Sequence, residues 1–124
     1  MPSRLPLTLA SLSGFMAVCA GAFGAHGASS PEAKAWLETG GHYQLVHAVA
    51  VFACLSSGRL APSKATTAAW LFLAGALIFS GSLYLMAFGG PRLLGAVTPV
   101  GGALLLAGWL ALAWATASKA GSTP

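Results

Sequence analysis

The chain has 124 residues, enough for one domain, and combines 56% hydrophobic with 6% charged side chains, against roughly 25% charge in soluble domains. That composition excludes a soluble globular protein. The net charge of +4 does not point to nucleic acid either, because the basic residues are scattered along the chain and form no stripe that could follow a phosphate backbone.

Charges fall only at Arg4, between Glu32 and Glu38, between Arg59 and Lys64, at Arg92 and at Lys119, so residues 5–31, 39–58, 65–91 and 93–118 carry none. A hydrocarbon core about 30 Å thick is crossed by roughly 20 apolar residues in a helix, and a charge at its centre costs at least ~2.5 kcal/mol. The pattern predicts an all-α polytopic membrane protein, a four-transmembrane-helix bundle in a single domain over 1–124, with spans near 5–24, 42–57, 66–88 and 99–117. Its first partner is the lipid bilayer.

In span 1, Ala10, Gly14, Ala17, Gly21 and Gly24 recur at three- and four-residue steps. They make a stripe suited to close helix approach, since in lipid helices associate through small residues rather than by hiding apolar surface from water. No strand precedes these glycines to make a phosphate loop. Arg4, the apolar run and the small residues from Ala20 to Ala25 also imitate a cleavable signal peptide, whose removal would leave three spans.

Residues 25–41 form the longest polar stretch. Ser30-Pro31-Glu32 sets an N-cap, a first-turn proline and an early acid in order, and Gly40 is expected to end a two-turn helix. With Trp36 and Leu37 on it, this is expected to be a short surface helix in the first external loop. Glu32 and Glu38 read as a solvated face rather than an acid/base pair, because nothing near them suggests a burying pocket.

Span 2 opens with its most polar residues. Tyr43, Gln44 and His47 share one helix face, and His47 lies about 8 Å along the axis from the start of the span, where its imidazole requires a protein partner. The turn at 58–65 carries Arg59, Pro62 and Lys64. Span 3 holds Ser80, Ser82 and Tyr84 at similar depth, and these are the candidate partners of His47. An intramembrane histidine is a functional hypothesis by default, while a neutral one bonded to the next helix serves equally as interhelical glue.

Gly89-Gly90-Pro91 ends span 3. Thr98-Pro99 reads as the cap and first residue of span 4, where Gly101 and Gly108 supply a second close-contact seam. Cys19 and Cys54 have no partner at redox or metal spacing and read as small buried hydrophobes. His26, His42 and His47 make a poor ligand set, since His42 and His47 point about 140° apart around a helix; neither metal nor cofactor is expected. Arg4, Arg59, Lys64 and Lys119 fall on one side and Lys34 and Arg92 on the other, which predicts both termini cytoplasmic.

Several blocks also resemble a known family: Gly21-Ala-Phe-Gly24-Ala-His26-Gly27, Trp36 with Thr39-Gly40, Tyr43-Gln44-x-x-His47-Ala48, Phe79-Ser80-Gly-Ser82-Leu-Tyr84, and Thr98-Pro99-x-Gly101-Gly102. In this order they look like the YgdD/YwdK family of small membrane proteins, the domain-of-unknown-function 423 family, to which the eukaryotic transmembrane protein 256 is similar. The resemblance implies an uncleaved four-helix protein of the bacterial inner membrane and supplies no reaction. The expected role is a structural or accessory membrane component that packs through its small-residue faces, as a homo-oligomer or within a larger complex. The alternative is a small transporter or channel with a polar path near His47 and Ser80 to Tyr84. An enzyme is not expected, because no nucleophile and base pair can be assembled from these spacings.

Overall fold

Where no water competes, backbone N–H and C=O groups bond to one another, and a helix satisfies them all within one segment. A computed structural model, which describes residues 4–118, has four helices, α1 (Arg4–His26), α2 (Pro31–Ser56), α3 (Pro62–Ala87) and α4 (Thr98–Ala117), with a 3-10 turn at Arg92–Ala96. There is no strand among the described residues, so the all-α expectation holds. Lys119, part of the orientation reading, lies outside them.

Local signals account for the helix ends. The Ser30 hydroxyl accepts from the Ala33 N–H at 3.0 Å, and Pro31 fills the first turn of α2. Beyond α3 the chain reverses at Gly89, whose φ of +98° lies in the left-handed region that glycine enters without steric cost. The N–H groups of Gly89 and Gly90 then close onto the carbonyls of Met86 and Leu85.

Two expectations need correction. Gly40 does not end a surface helix; residues 31–56 form a single helix of 26 residues. A Cβ on Gly40 would lie 2.6 Å from the Tyr84 ring, and one on Gly41 3.0 Å from the Ala17 carbonyl oxygen. These glycines answer to close neighbours, which outweighs their cost of about 1 kcal/mol each in a helix interior. Thr98 does not cap α4 through its side chain either. The 3-10 turn runs into the helix through Val97, already in a helical conformation, and the Thr98 hydroxyl turns to Ser82 at 2.5 Å.

α1 packs on α2, α2 on α3 and α3 on α4, while α1 touches α3 only lightly. The main core joins Ala10, Ala48, Val51, Cys54, Ala68, Phe72 and Leu105; a second cluster, Ala20, Ala33, Leu37 and Ala87, lies toward the other end. Both small-residue seams face inward. A Cβ at Gly101 would fall 2.3 Å from the Phe79 nitrogen, one at Gly108 2.6 Å from the Phe72 ring, and one at Gly24 3.1 Å from the Leu37 Cβ.

Leu12, Phe15 and Val18 on α1 and Leu106, Leu110 and Trp114 on α4 are exposed. This is the outward apolar surface of a membrane protein. Three segments are long and apolar enough to cross a bilayer, namely α1, α3 and Arg92–Ala117; α2, with Glu32, Lys34 and Glu38 in its first turns, is not among them.

Candidate functional site

His47 sits at mid-length of α2 with 5% of its surface exposed. Its Nδ1 lies 2.6 Å from the Tyr43 carbonyl, and its Nε2 lies 2.9 Å from the indole nitrogen of Trp109 on α4. A carbonyl only accepts and an indole N–H only donates, so the imidazole is neutral with its hydrogen on Nδ1. Phe72 and Trp109 close around the ring with centroids at 5.4 and 5.7 Å, and Tyr43 stacks on it at 6.1 Å. The contact is aromatic and nearly closed off from the surface.

The other polar residues form separate sets. Tyr84 donates its hydroxyl to Gln44 Oε1 at 2.6 Å, and Gln44 Nε2 donates to Ser13 Oγ at 3.0 Å, a chain that ties α3, α2 and α1 together. Ser80 donates to the Gly40 carbonyl at 2.7 Å, and Ser82 pairs with Thr98. No buried side-chain nitrogen or oxygen among the described residues lacks a partner.

Gln44 and Tyr84 are thus brought together, whereas Ser80, Ser82 and Tyr84 engage groups other than His47. The partner of His47 is Trp109, which the sequence reading did not consider. Its signal was present: an indole in the interior of an apolar span has an N–H that must find an acceptor. Ser13 carries a similar signal, as one of few hydroxyls in span 1.

Of the remaining motif residues, Gly24, Gly27 and Gly101 have close neighbours, a Cβ on Gly27 falling 2.9 Å from the Phe23 ring, whereas Gly21 and Gly102 are less crowded. His26 ends α1 and is exposed, as is His42; no group of three metal-ligating side chains exists among the described residues. Pro99 occupies the first turn of α4. Cys54 is buried as expected, whereas Cys19, expected to be buried, is exposed; both are free thiols.

Ion pairs lie at one end of the bundle. Arg92 grips Glu32 with two bonds, 2.9 and 2.5 Å, and lies over the Trp36 ring at 5.6 Å. This guanidinium holds the Glu32 carboxyl below the usual glutamate range. Lys34 bonds Glu38 at 3.0 Å and the final-turn carbonyl of Gly24 at 3.3 Å. At the opposite end Lys64 donates to Ser118 at 2.8 Å and sits 4.6 Å from the Trp114 ring centre.

The family model described as protein of unknown function (DUF423) matches residues 20–102. The chain is 46% identical over 111 residues to a UPF0382 membrane protein of Haemophilus influenzae, covering 87% of this chain and 90% of that protein. It is 41% identical over 118 residues to the UPF0382 inner membrane protein YgdD of Escherichia coli, covering 88% and 86%. To the UPF0382 membrane protein YwdK of Bacillus subtilis it is 37% identical over 109 residues, covering 84% and 89%. No solved structure matches the chain.

Proposed function

The chain belongs to the DUF423 family of membrane proteins, and from that premise we propose that it is a four-span inner-membrane component acting by packing and association rather than by catalysis. The observation that carries this reading is the bonding of α2. Its mid-helix polar side chains, Gln44 and His47, are each joined to a neighbouring helix. Polar groups used in this way are glue between helices in lipid.

The fourth span is the part of α2 from about residue 42 onward. α1 and α3 are apolar enough to cross and α2 packs against both. The inner membrane is the location in the printed name of the Escherichia coli relative, and the basic residues Arg4, Arg59, Lys64 and Lys119 favour cytoplasmic termini. Because the glycine seams are taken up inside the molecule, association with a second copy or a larger complex would use the outward faces of α1 and α4. A transported path past His47, the second reading, is disfavoured by the aromatic rings that enclose it.

Two measurements test this. Single cysteines at residues 29 and 93 should react with an impermeant maleimide from outside the cell, and cysteines at 3 and 60 only after permeabilisation; labelling of 60 from outside would overturn the four-span topology. Native purification from membranes at ordinary abundance should recover the chain with additional copies or other membrane proteins. Recovery as a lone monomer would overturn the associative role.

A further inference from the structure

The light contact between α1 and α3 leaves a groove between them. Two cavities of about 640 and 440 Å³ share Met16, Gln44 and Leu77, and so adjoin along this apolar groove. Its walls are α1 and α3; its floor is Gln44 of α2, with Tyr84 and Ser13 on either hand.

Gly81 lies in this groove, and a Cβ built on it meets nothing within 4 Å. Unlike Gly75, Gly101 and Gly108, it brings no helix close, and what it does is keep the groove wide. The floor also ends in a donor. Tyr84 donates to Gln44 and Gln44 donates to Ser13, so the hydroxyl proton of Ser13 is the free terminus of the chain. Ser11 returns its own proton to the Leu7 carbonyl, one turn back; among the described residues Ser13 makes no such bond.

We propose that this groove is a binding site for an uncharged, lipid-dissolved molecule bearing a carbonyl oxygen, which accepts the Ser13 hydroxyl proton while its apolar body lies along α1 and α3. Depth selects this class over ordinary phospholipid. Ser13 stands nine residues from Arg4 and thirteen from His26, about 14 and 20 Å along the helix at 1.5 Å per residue. In the four-span reading, on which this inference rests, that is inside the hydrocarbon and below the interfacial zone where phospholipid ester groups reside. The polar lining is confined to the floor, as in sites where a few polar groups orient a ligand held by apolar walls.

Trp70 lines the second cavity and is a built-in reporter. Purified protein in lipid nanodiscs is titrated with a benzoquinone carrying a ten-carbon tail, and quenching of tryptophan fluorescence is followed. Saturable quenching is expected, weakened about five- to tenfold in Kd by Ser13→Ala, the effect of one hydrogen bond. It should be abolished by Gly81→Leu, which fills the groove, and unaffected by an excess of hexadecane. Dioleoylglycerol is added as a competitor: displacement assigns the site to neutral glyceride esters and no displacement to ring carbonyls, and both support a carbonyl site. Absence of saturation, quenching that survives Gly81→Leu or Trp70→Phe intact, equal affinity in Ser13→Ala, or displacement by hexadecane would each overturn it. Circular dichroism of each variant confirms the fold, and maleimide labelling of the same samples separates failure of the site from failure of the four-span topology.

Discussion

His47 and Trp109 show how one bond can fix both the charge state and the hydrogen position of a side chain. Replacing Trp109 with Phe leaves the ring packing nearly intact and strips His47 Nε2 of its donor. Interhelical hydrogen bonds in lipid average ~0.6 kcal/mol and reach about 1.7, so Trp109→Phe is expected to lower stability by that order in a denaturing-detergent titration. In a double-mutant cycle with His47→Phe the two losses should be less than additive; strict additivity would show that the bond contributes nothing. The Glu32 and Arg92 pair predicts a pH effect. A carboxyl whose folded pKa is depressed adds stability above the unfolded value of about 4.5, and loses it as pH falls through the lower folded value. Arg92→Gln should therefore destabilise the protein at neutral pH by an amount that fades in acid and in high salt; a deficit unchanged at pH 3 would refute the pairing. The need of His47 for a partner was legible in the sequence from burial alone. The partner was not, because equal depth suggested the hydroxyls of span 3, and nothing in the sequence states which helix lies across from which face.

At the scale of the helices, glycine has three different duties in this chain, and sequence alone does not tell them apart. Gly89 turns the backbone, Gly101 admits a neighbouring helix, and Gly81 leaves space. Gly101→Ala would drive a methyl to 2.3 Å from the Phe79 nitrogen and 2.7 Å from its Cα. These are backbone atoms that no rotamer change can move, so a loss of about 1–3 kcal/mol or more is expected. Gly81→Ala meets no atom and should hold or raise stability by up to about 1 kcal/mol through helix propensity. Thermal melts of both variants in one detergent would check the contrast, and equal melting temperatures would contradict the packing assigned to Gly101. The same ambiguity explains the expected break at Gly40. Two adjacent glycines after a capped, acidic first turn look like a stop, and only the Tyr84 ring and the Ala17 carbonyl, both remote in sequence, reveal an approach instead. The capping at Ser30 and the end of α3 were legible because their causes are local.

For the molecule as a whole, placement of charge made α1, α3 and α4 legible as long apolar helices, since the penalty for an ion in hydrocarbon is large, but not the start of α2, whose first turns carry Glu32, Lys34 and Glu38. The order of packing was less accessible. The sequence marks α1 and α4 as having small-residue faces, but whether those faces meet the chain's own helices or another chain depends on contacts between distant residues. In the fold they meet α2 and α3, so the contacting surfaces are mostly alanine and glycine, smooth and repetitive along each axis. Such surfaces specify distance well and register poorly, because a slip of one turn would replace one small residue by another at little loss of dispersion energy. What forbids the slip is a handful of bonds that tolerate only a few tenths of an ångström: Ser80 to the Gly40 carbonyl, Gln44 to Ser13, Trp109 to His47. Gln44→Leu should accordingly keep its helical circular dichroism while its amide resonances in solution NMR multiply or broaden; a single sharp set would mean that the alanine faces hold alignment unaided. The hydroxyl, amide and imidazole groups inside this bundle then act as detents, holding otherwise slippery cylinders at one click of their possible travel.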